Sequence, residues 1–113
     1  MLTGYRFGRI EAKGRTYTDD IKVIDGRVIS DWWRRRGHVV DTGDVADILA
    51  AQPETVVFGT GGSGRMTLTA GLKQTLEDRG IEWIAAPTAE AVQTFNRLLT
   101  SRRSLAGGFH LTC

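Results

Sequence analysis

The chain has 113 residues, of which 41% are hydrophobic and 25% charged; these proportions are typical of globular domains and exclude a disordered or fibrous chain. The formal net charge of +2 is too small for a strong overall field and disfavours an obligate nucleic-acid-binding protein. The length predicts one domain over residues 1–113, and the lack of a signal segment or of an apolar run of ~20 residues predicts a soluble, cytoplasmic protein without a membrane partner.

The first forty residues have the short, β-rich runs that are typical of strands. Alternation over residues 5–10 predicts one strand, and the runs at 15–18, 21–24 and 27–30 predict three more. Asp25-Gly26 separates the last two runs and predicts a two-residue hairpin, because a type I′ turn needs positive φ at both central residues. The first part of the chain is therefore expected to form a β-meander, followed by a short extended piece at residues 38–40.

The pattern changes to alternating helices and strands at Asp44, a predicted N-cap for a short helix that Pro53 ends. The apolar run at 55–58 predicts a strand covered on both faces, and leucines every fourth residue predict a helix over 69–79. A further strand is predicted at 81–85. Together these segments predict a βαβ unit with two parallel, neighbouring strands.

The remaining residues predict a third helix and a last strand. Thr88 is the expected N-cap of that helix, and its buried stripe is Val92, Phe95 and Leu99. The last strand spans residues 104–113, with a bulge or bend at Gly107-Gly108. The predicted fold class is thus a single α/β domain with a mixed central sheet, a βαβ unit and packed helices, preceded by an N-terminal β-meander.

Several local signatures occur together in a fixed order along nearly the whole chain. They are Trp33, Gly37-His38, the helix at Asp44, Pro53-Glu54, Val56-Val-Phe-Gly59-Thr60-Gly61, Pro87-Thr88-Ala-Glu-Ala91, Phe95-Asn96 and His110-Leu-Thr-Cys113. In this set the sequence resembles the Mth-domain family, which includes adipogenesis-associated Mth-domain-containing protein and is related to a mitochondrial complex I assembly factor. The resemblance implies a small α/β domain, and it implies no catalytic residue or cofactor.

A glycine-rich segment follows the strand at 55–58 and matches the spacing G-x-G-x-x-G. Such glycines can bring backbone N–H groups close to a phosphate at a helix N-terminus. No acidic residue follows at the end of the next strand to bind a ribose, and the lysine of a P-loop is missing, so a nucleotide site is disfavoured. A structural turn is the favoured interpretation. A weak anion site remains open, formed by Gly59, Thr60, Gly61, Gly62, Ser63, Gly64 and Arg65.

The segment Trp32-Trp33-Arg34-Arg35-Arg36-Gly37-His38 is the most unusual in the chain. Exposed tryptophan beside arginine is typical of the residues that dominate protein interfaces. Adjacent side chains of an extended segment point to opposite faces, so one tryptophan is expected in the core and the other on the surface. The segment predicts a partner surface, and nucleic acid is a disfavoured partner because one basic cluster neutralises few phosphates. The candidate surface residues are Trp32, Arg34, Arg35, Arg36 and His38.

The residues that most often perform chemistry are sparse. His38 and His110 are the only histidines and show no metal-ligand spacing. The single cysteine, Cys113, excludes an intramolecular disulfide. It lies three positions after His110, so in a regular strand the two side chains would face apart. Asp19, Asp20, Asp41 and Asp44 are interpreted as turn and cap residues. No catalytic residue, cofactor or metal site is therefore predicted.

Two hypotheses of function follow. The favoured one is a non-catalytic protein-interaction or assembly module with an unidentified protein partner. The alternative is a protein, or an enzyme, that binds a small-molecule anion or phosphate-containing ligand with the Gly59–Gly64 loop, His38 and Arg65. The residues leave enzymatic activity open and favour its absence.

Overall fold

The computed structural model describes all residues from 1 to 113 and contains ten strands and three α-helices. The strands are β1 (Leu2–Arg6), β2 (Arg9–Ala12), β3 (Arg15–Tyr17), β4 (Ile21–Ile24), β5 (Arg27–Ile29), β6 (Val39–Val40), β7 (Thr55–Thr60), β8 (Thr67–Leu68), β9 (Glu82–Ala86) and β10 (Leu105–His110). The helices are α1 (Ala46–Ala51), α2 (Ala70–Asp78) and α3 (Thr88–Leu98), and a 3-10 helix (Thr42–Val45) precedes α1.

A five-stranded mixed sheet with the order β5-β4-β10-β7-β9 forms the centre of the molecule. Strand β10 pairs antiparallel with β4 and parallel with β7. Strands β7 and β9 are parallel neighbours, in register from Thr55 opposite Glu82 to Gly59 opposite Ala86. Because α2 lies between them in the sequence, the predicted βαβ unit and the mixed α/β fold are confirmed.

The N-terminal strands form a separate three-stranded antiparallel sheet in the order β1-β2-β3. The continuous strand expected over residues 5–10 is wrong, because the chain reverses at Phe7-Gly8, where Gly8 has φ of +85°. Alternation continues across this turn, so periodicity alone did not reveal it. The Asp25-Gly26 hairpin is confirmed: β4 and β5 are antiparallel and both turn residues have positive φ, +48° and +81°.

Two predicted helix caps differ from the structure. The first helical segment is capped by Asp41, whose side chain accepts from Thr42 N, while the Asp44 carboxylate accepts from Asp41 N in a capping box. Pro87 occupies the N-cap position of α3, and Thr88 is the first helical residue, completely buried. The Thr88 hydroxyl instead accepts from Gly61 N at 2.9 Å and donates to His110 O, joining α3 to two strands.

The last strand is shorter and more regular than expected. Residues 105–110 pair continuously with β7 and residues 106–109 with β4, so the bulge predicted at Gly107-Gly108 is absent. The two glycines make room for aromatic rings: a Cβ on Gly107 would lie 2.6 Å from the Phe109 ring, and one on Gly108 2.8 Å from the Trp32 ring.

Alternate residues of the central strands enter two hydrophobic clusters, one on each face of the sheet. Val57 and Phe109 belong to the cluster under α3 and the N-terminal strands. Phe58 and Ala106 belong to the cluster formed with α1, α2 and Trp32. No helix of the chain has the length and apolar character required to cross a membrane.

Candidate functional site

Residues 32–35 alternate between the interior and the surface. Trp32 is only 4% exposed, and its indole Nε1 donates to Asp44 O at 3.0 Å. Trp33 is 75% exposed, and Arg35 and Arg36 are exposed as well. The prediction of one buried and one exposed tryptophan is therefore confirmed. Trp32 cannot belong to a partner surface as proposed, because its ring packs in the core against Gly108.

Like Trp32, Arg34 was predicted to belong to the partner surface and has a buried side chain. Its guanidinium stacks over the Trp32 ring at 4.6 Å, and its Nε donates to Gly37 O at 2.8 Å. Its Nη2 lies 2.6 Å from Oδ2 of Asp20, and the two side chains are 5% and 14% exposed. Arg34 therefore neutralises a largely buried carboxylate and is not free to contact a partner.

Asp20 also holds His110, which lies at the end of β10. Oδ2 of Asp20 lies 2.7 Å from Nδ1 of His110, and Oδ1 accepts from Leu111 N at 2.8 Å. Burial, and then the charge of Asp20, raise the pKa of Tyr5, whose hydroxyl donates to Leu111 O at 3.0 Å. The sequence predicts only a turn role for Asp20. It does not reveal the contact with His110, because 90 positions separate Asp20 from His110 in the sequence.

His110 also lies beside the remaining histidine and the cysteine. The His38 and His110 rings meet edge-on with their centroids 5.3 Å apart. The ligand atoms of His38, His110 and Cys113 all lie within 4.8 Å of one another. The expectation that Cys113 faces away from His110 is wrong, because β10 ends at His110 and the backbone reaches φ of +37° at Cys113.

His38 and His110 line a cleft of about 270 Å³, which we call the histidine cleft, and Cys113 lies next to its lining residue Thr112. Most of its lining residues are polar, and the exposed Trp33 is among them. The lining residues are Thr18, Asp19, Asp20, Trp33, Arg34, Gly37, His38, His110, Leu111 and Thr112.

The glycine-rich segment, residues 59–65, lies outside the histidine cleft and is held by packing and hydrogen bonds within the fold. Gly59 and Thr60 belong to the buried strand β7, and a Cβ on Gly59 would lie 2.9 Å from the Phe109 and Thr88 side chains. The segment lines a different cleft, of about 400 Å³, through Thr60, Ser63 and Gly64. None of residues 59–65 lines the histidine cleft.

Most backbone N–H groups of this segment are already hydrogen-bonded within the protein. Gly61 N donates to the Thr88 hydroxyl, and Gly64 N to Gly61 O. Gly62 N donates to Thr112 O at 3.2 Å, and Arg65 N to Cys113 O at 3.3 Å. The loop therefore offers no row of free amides to an anion, and it holds the segment that carries Cys113 in place.

Comparison with known proteins shows the family to which the chain belongs. A family model described as protein of unknown function (DUF498/DUF598) matches residues 2–110. The chain is similar in structure to a conserved hypothetical protein from Pyrococcus horikoshii OT3, with 26% identity, a TM-score of 0.85, and coverage of 100% of this chain and 99% of that one. It is similar to the protein MT938, with 27% identity, a TM-score of 0.80, and coverage of 100% and 98%.

A third structure, from Bordetella pertussis, shares the fold alone. It is described as a Mth938-like domain and has 19% identity, a TM-score of 0.64, and coverage of 97% of this chain and 84% of that one. The family match over residues 2–110 and these structural likenesses agree with the resemblance inferred from the ordered motifs. The chain belongs to the DUF498/DUF598 family of Mth938-like domains.

Proposed function

We propose that the domain is a non-catalytic protein-interaction module that binds an acidic partner through Trp33, Arg35 and Arg36, which we call the Trp33 surface. The observation that supports this most directly is the 75% exposure of Trp33 between two anchored neighbours. Exposed tryptophan and arginine are the residues that most often dominate binding energy in interfaces. The relation of the family to an assembly factor, implied by the sequence motifs, favours the same class of function.

The backbone under this surface is held in place before any partner arrives. The buried Trp32 ring and the Asp20–Arg34 ion pair flank Trp33 on either side. The backbone N–H of Arg35 donates to Oδ1 of Asp44 at 3.1 Å. Because these contacts already order the segment, a partner does not have to supply the free energy of ordering it.

The charge of the Trp33 surface indicates the chemistry of the partner. The guanidinium groups of Arg35 and Arg36 form no salt bridge or side-chain hydrogen bond within the protein. Two free positive charges beside an aromatic ring complement a carboxylate-rich surface with an apolar pocket. Charge complementarity of this kind raises association rates and is weakened by salt.

A photo-cross-linking amino acid in place of Trp33 tests this proposal in cells that make the protein. We expect a discrete adduct that does not form when the same amino acid replaces Leu99, which was expected in the buried stripe of α3 and is exposed because the helix ends at Leu98. The double substitution Arg35→Glu and Arg36→Glu should abolish the adduct and weaken affinity for the recovered partner by about tenfold or more, equivalent to about 1.4 kcal/mol.

The matched control reverses the same number of charges elsewhere, by Arg97→Glu and Arg103→Glu, at two other exposed arginines. It should leave the adduct intact. Identical adducts from positions 33 and 99, or equal losses with both charge-reversed variants, would show that the Trp33 surface is not the binding site.

A further inference from the structure

The strongest unexplained feature of the molecule is the second ring nitrogen of His110. The residue is 5% exposed, and its Nε2 is buried without any hydrogen-bond partner. A buried polar atom left in this state costs about 1–3 kcal/mol, so a native fold usually supplies a partner. Nδ1 lies 2.7 Å from the Asp20 carboxylate, closer than the 3.2 Å that separates it from Arg34 Nη2, and a ring that donates Nδ1–H to Asp20 has a free lone pair on Nε2.

Two further donor groups converge on this histidine from irregular parts of the chain. An imidazole nitrogen of His38 and the thiol of Cys113 lie with a His110 nitrogen inside a 4.8 Å cluster. The positions of the two residues suit a ligand that enters from the histidine cleft, since His38 is exposed and Cys113 is half-buried. The carbonyl of Cys113 is held by Arg65 N, so the thiol is attached to ordered backbone.

We propose that His38, His110 and Cys113 bind a zinc ion. Two imidazoles and one thiolate form a donor set that suits Zn²⁺ and disfavours Mg²⁺ and Ca²⁺, which prefer oxygen ligands. Zn–N and Zn–S bonds of about 2.0–2.3 Å place the donors of a tetrahedral site about 3.5 Å apart. The three donors therefore need to approach one another by about 1 Å, and side-chain rotation of His38 and Cys113, which lie outside the central sheet, supplies this movement.

Asp20 is the positioning residue of this site. A metal-binding histidine usually donates its other ring N–H to a carboxylate, which fixes the ring and raises the basicity of the ligand nitrogen. Asp20 makes this contact at 2.7 Å and is itself held by Arg34 and by Leu111 N. Three protein ligands leave a fourth position for water or for a donor group that enters from the cleft. None of the three ligands belongs to the Trp33 surface, so the site does not rest on the proposed partner binding.

Titration of the full chain with Co²⁺, a spectroscopic substitute for Zn²⁺, tests this inference. We expect one ion per chain, visible bands of a tetrahedral complex and a thiolate-to-cobalt charge-transfer band, all lost when Zn²⁺ displaces the cobalt. Zn²⁺ should also raise the melting temperature of the protein, because it binds the folded state. Absence of the charge-transfer band, or binding with no defined stoichiometry, overturns the proposal.

Variants identify the ligands. Cys113→Ser should remove the charge-transfer band. Cys113→Ser and His38→Gln should each weaken Co²⁺ binding by more than ~100-fold, a larger loss than removal of a residue that only hydrogen-bonds to a ligand. Asp20→Asn should weaken binding by about 10–100-fold and keep the charge-transfer band. Arg97→Gln is the control, at an exposed arginine of α3 without a donor atom in the cluster, and should bind as the wild type does.

Neither His38 nor Cys113 belongs to the hydrophobic clusters, so their variants should remain folded by circular dichroism and keep the test decisive. Unchanged affinity in the folded Cys113→Ser and His38→Gln variants contradicts the proposal.

Discussion

At the scale of single residues, the Asp20 carboxylate connects three segments that are distant in the sequence. It accepts from Arg34, from His110 and from the backbone of Leu111, and thereby joins the residues before β4, the segment after β5 and the end of β10. The sequence marks Asp20 only as an acid before a strand. The amino acids that reveal its role lie 14 and 90 positions away, so no local pattern contains them.

Asp20→Ala should destabilise the protein by about 3–5 kcal/mol, because it leaves the buried charge of Arg34 without its partner. Urea denaturation, followed by circular dichroism, measures this change in the free energy of unfolding. The control is Glu11→Ala, whose carboxylate lies 3.8 Å from Arg9 in a pair with both side chains more than 40% exposed. That loss should stay below ~1 kcal/mol, and equal losses in the two variants would show that burial does not govern the Asp20 interaction.

At the scale of secondary-structure elements, β10 shows where sequence reasoning succeeds and where it fails. Its position near the end of the chain was predicted, and the glycines were interpreted as a break in the strand. In the structure the strand is unbroken, and because Gly107 and Gly108 have no side chains, aromatic rings pack against their backbone on opposite faces. A glycine pair in a strand predicts either a bend or a close approach, and only the tertiary packing decides between them.

Gly108→Ala should destabilise the fold by about 1–3 kcal/mol, because the added methyl group would lie 2.8 Å from the Trp32 ring. Tryptophan fluorescence and urea denaturation should both report the change. Gly43→Ala is the matched control, since its Cβ would meet nothing within 4 Å. A Gly108→Ala protein as stable as the wild type would indicate that Trp32 can move aside at no cost.

At the scale of the whole molecule, the architecture was largely predictable from the sequence. Hydrophobic periodicity predicted α2 and α3, short apolar runs predicted β7 and β9, and the helix between these two strands predicted that they run parallel. The candidate site was not predictable in the same way. Periodicity locates elements, whereas the histidine cleft is assembled from four separate stretches of chain whose proximity follows from the order β5-β4-β10.

The free energy of unfolding should depend on pH through Glu82 at the start of β9. A hydrogen bond from the Thr55 hydroxyl, at 2.6 Å, and then the Arg102 guanidinium lower the pKa of Glu82. Its folded-state pKa therefore lies below its unfolded-state value. Ionised Glu82 contributes stability above the ordinary pKa of a glutamate, and this contribution is lost as the pH falls through the lowered value.

Glu82→Gln should accordingly be less stable than the wild type near neutral pH, by less than ~1 kcal/mol because the carboxylate is 48% exposed. The difference should disappear in acid. Urea denaturation over a pH series measures it, with Glu77→Gln as a control whose carboxylate lacks any such partner. A Glu82→Gln deficit that persists at the acid end of the series would contradict this linkage.

The position of β10 at the centre of the sheet has a consequence for biosynthesis. The strand that joins β4 to β7 is the last of the ten to leave the ribosome. Until it emerges, the β4–β5 hairpin and the β7–β9 pair have no common neighbour, and their apolar inner edges stay open to other nascent chains. The central sheet can therefore be completed only after residues 105–110 have left the ribosome, and the edges of β4 and β7 stay unpaired until then.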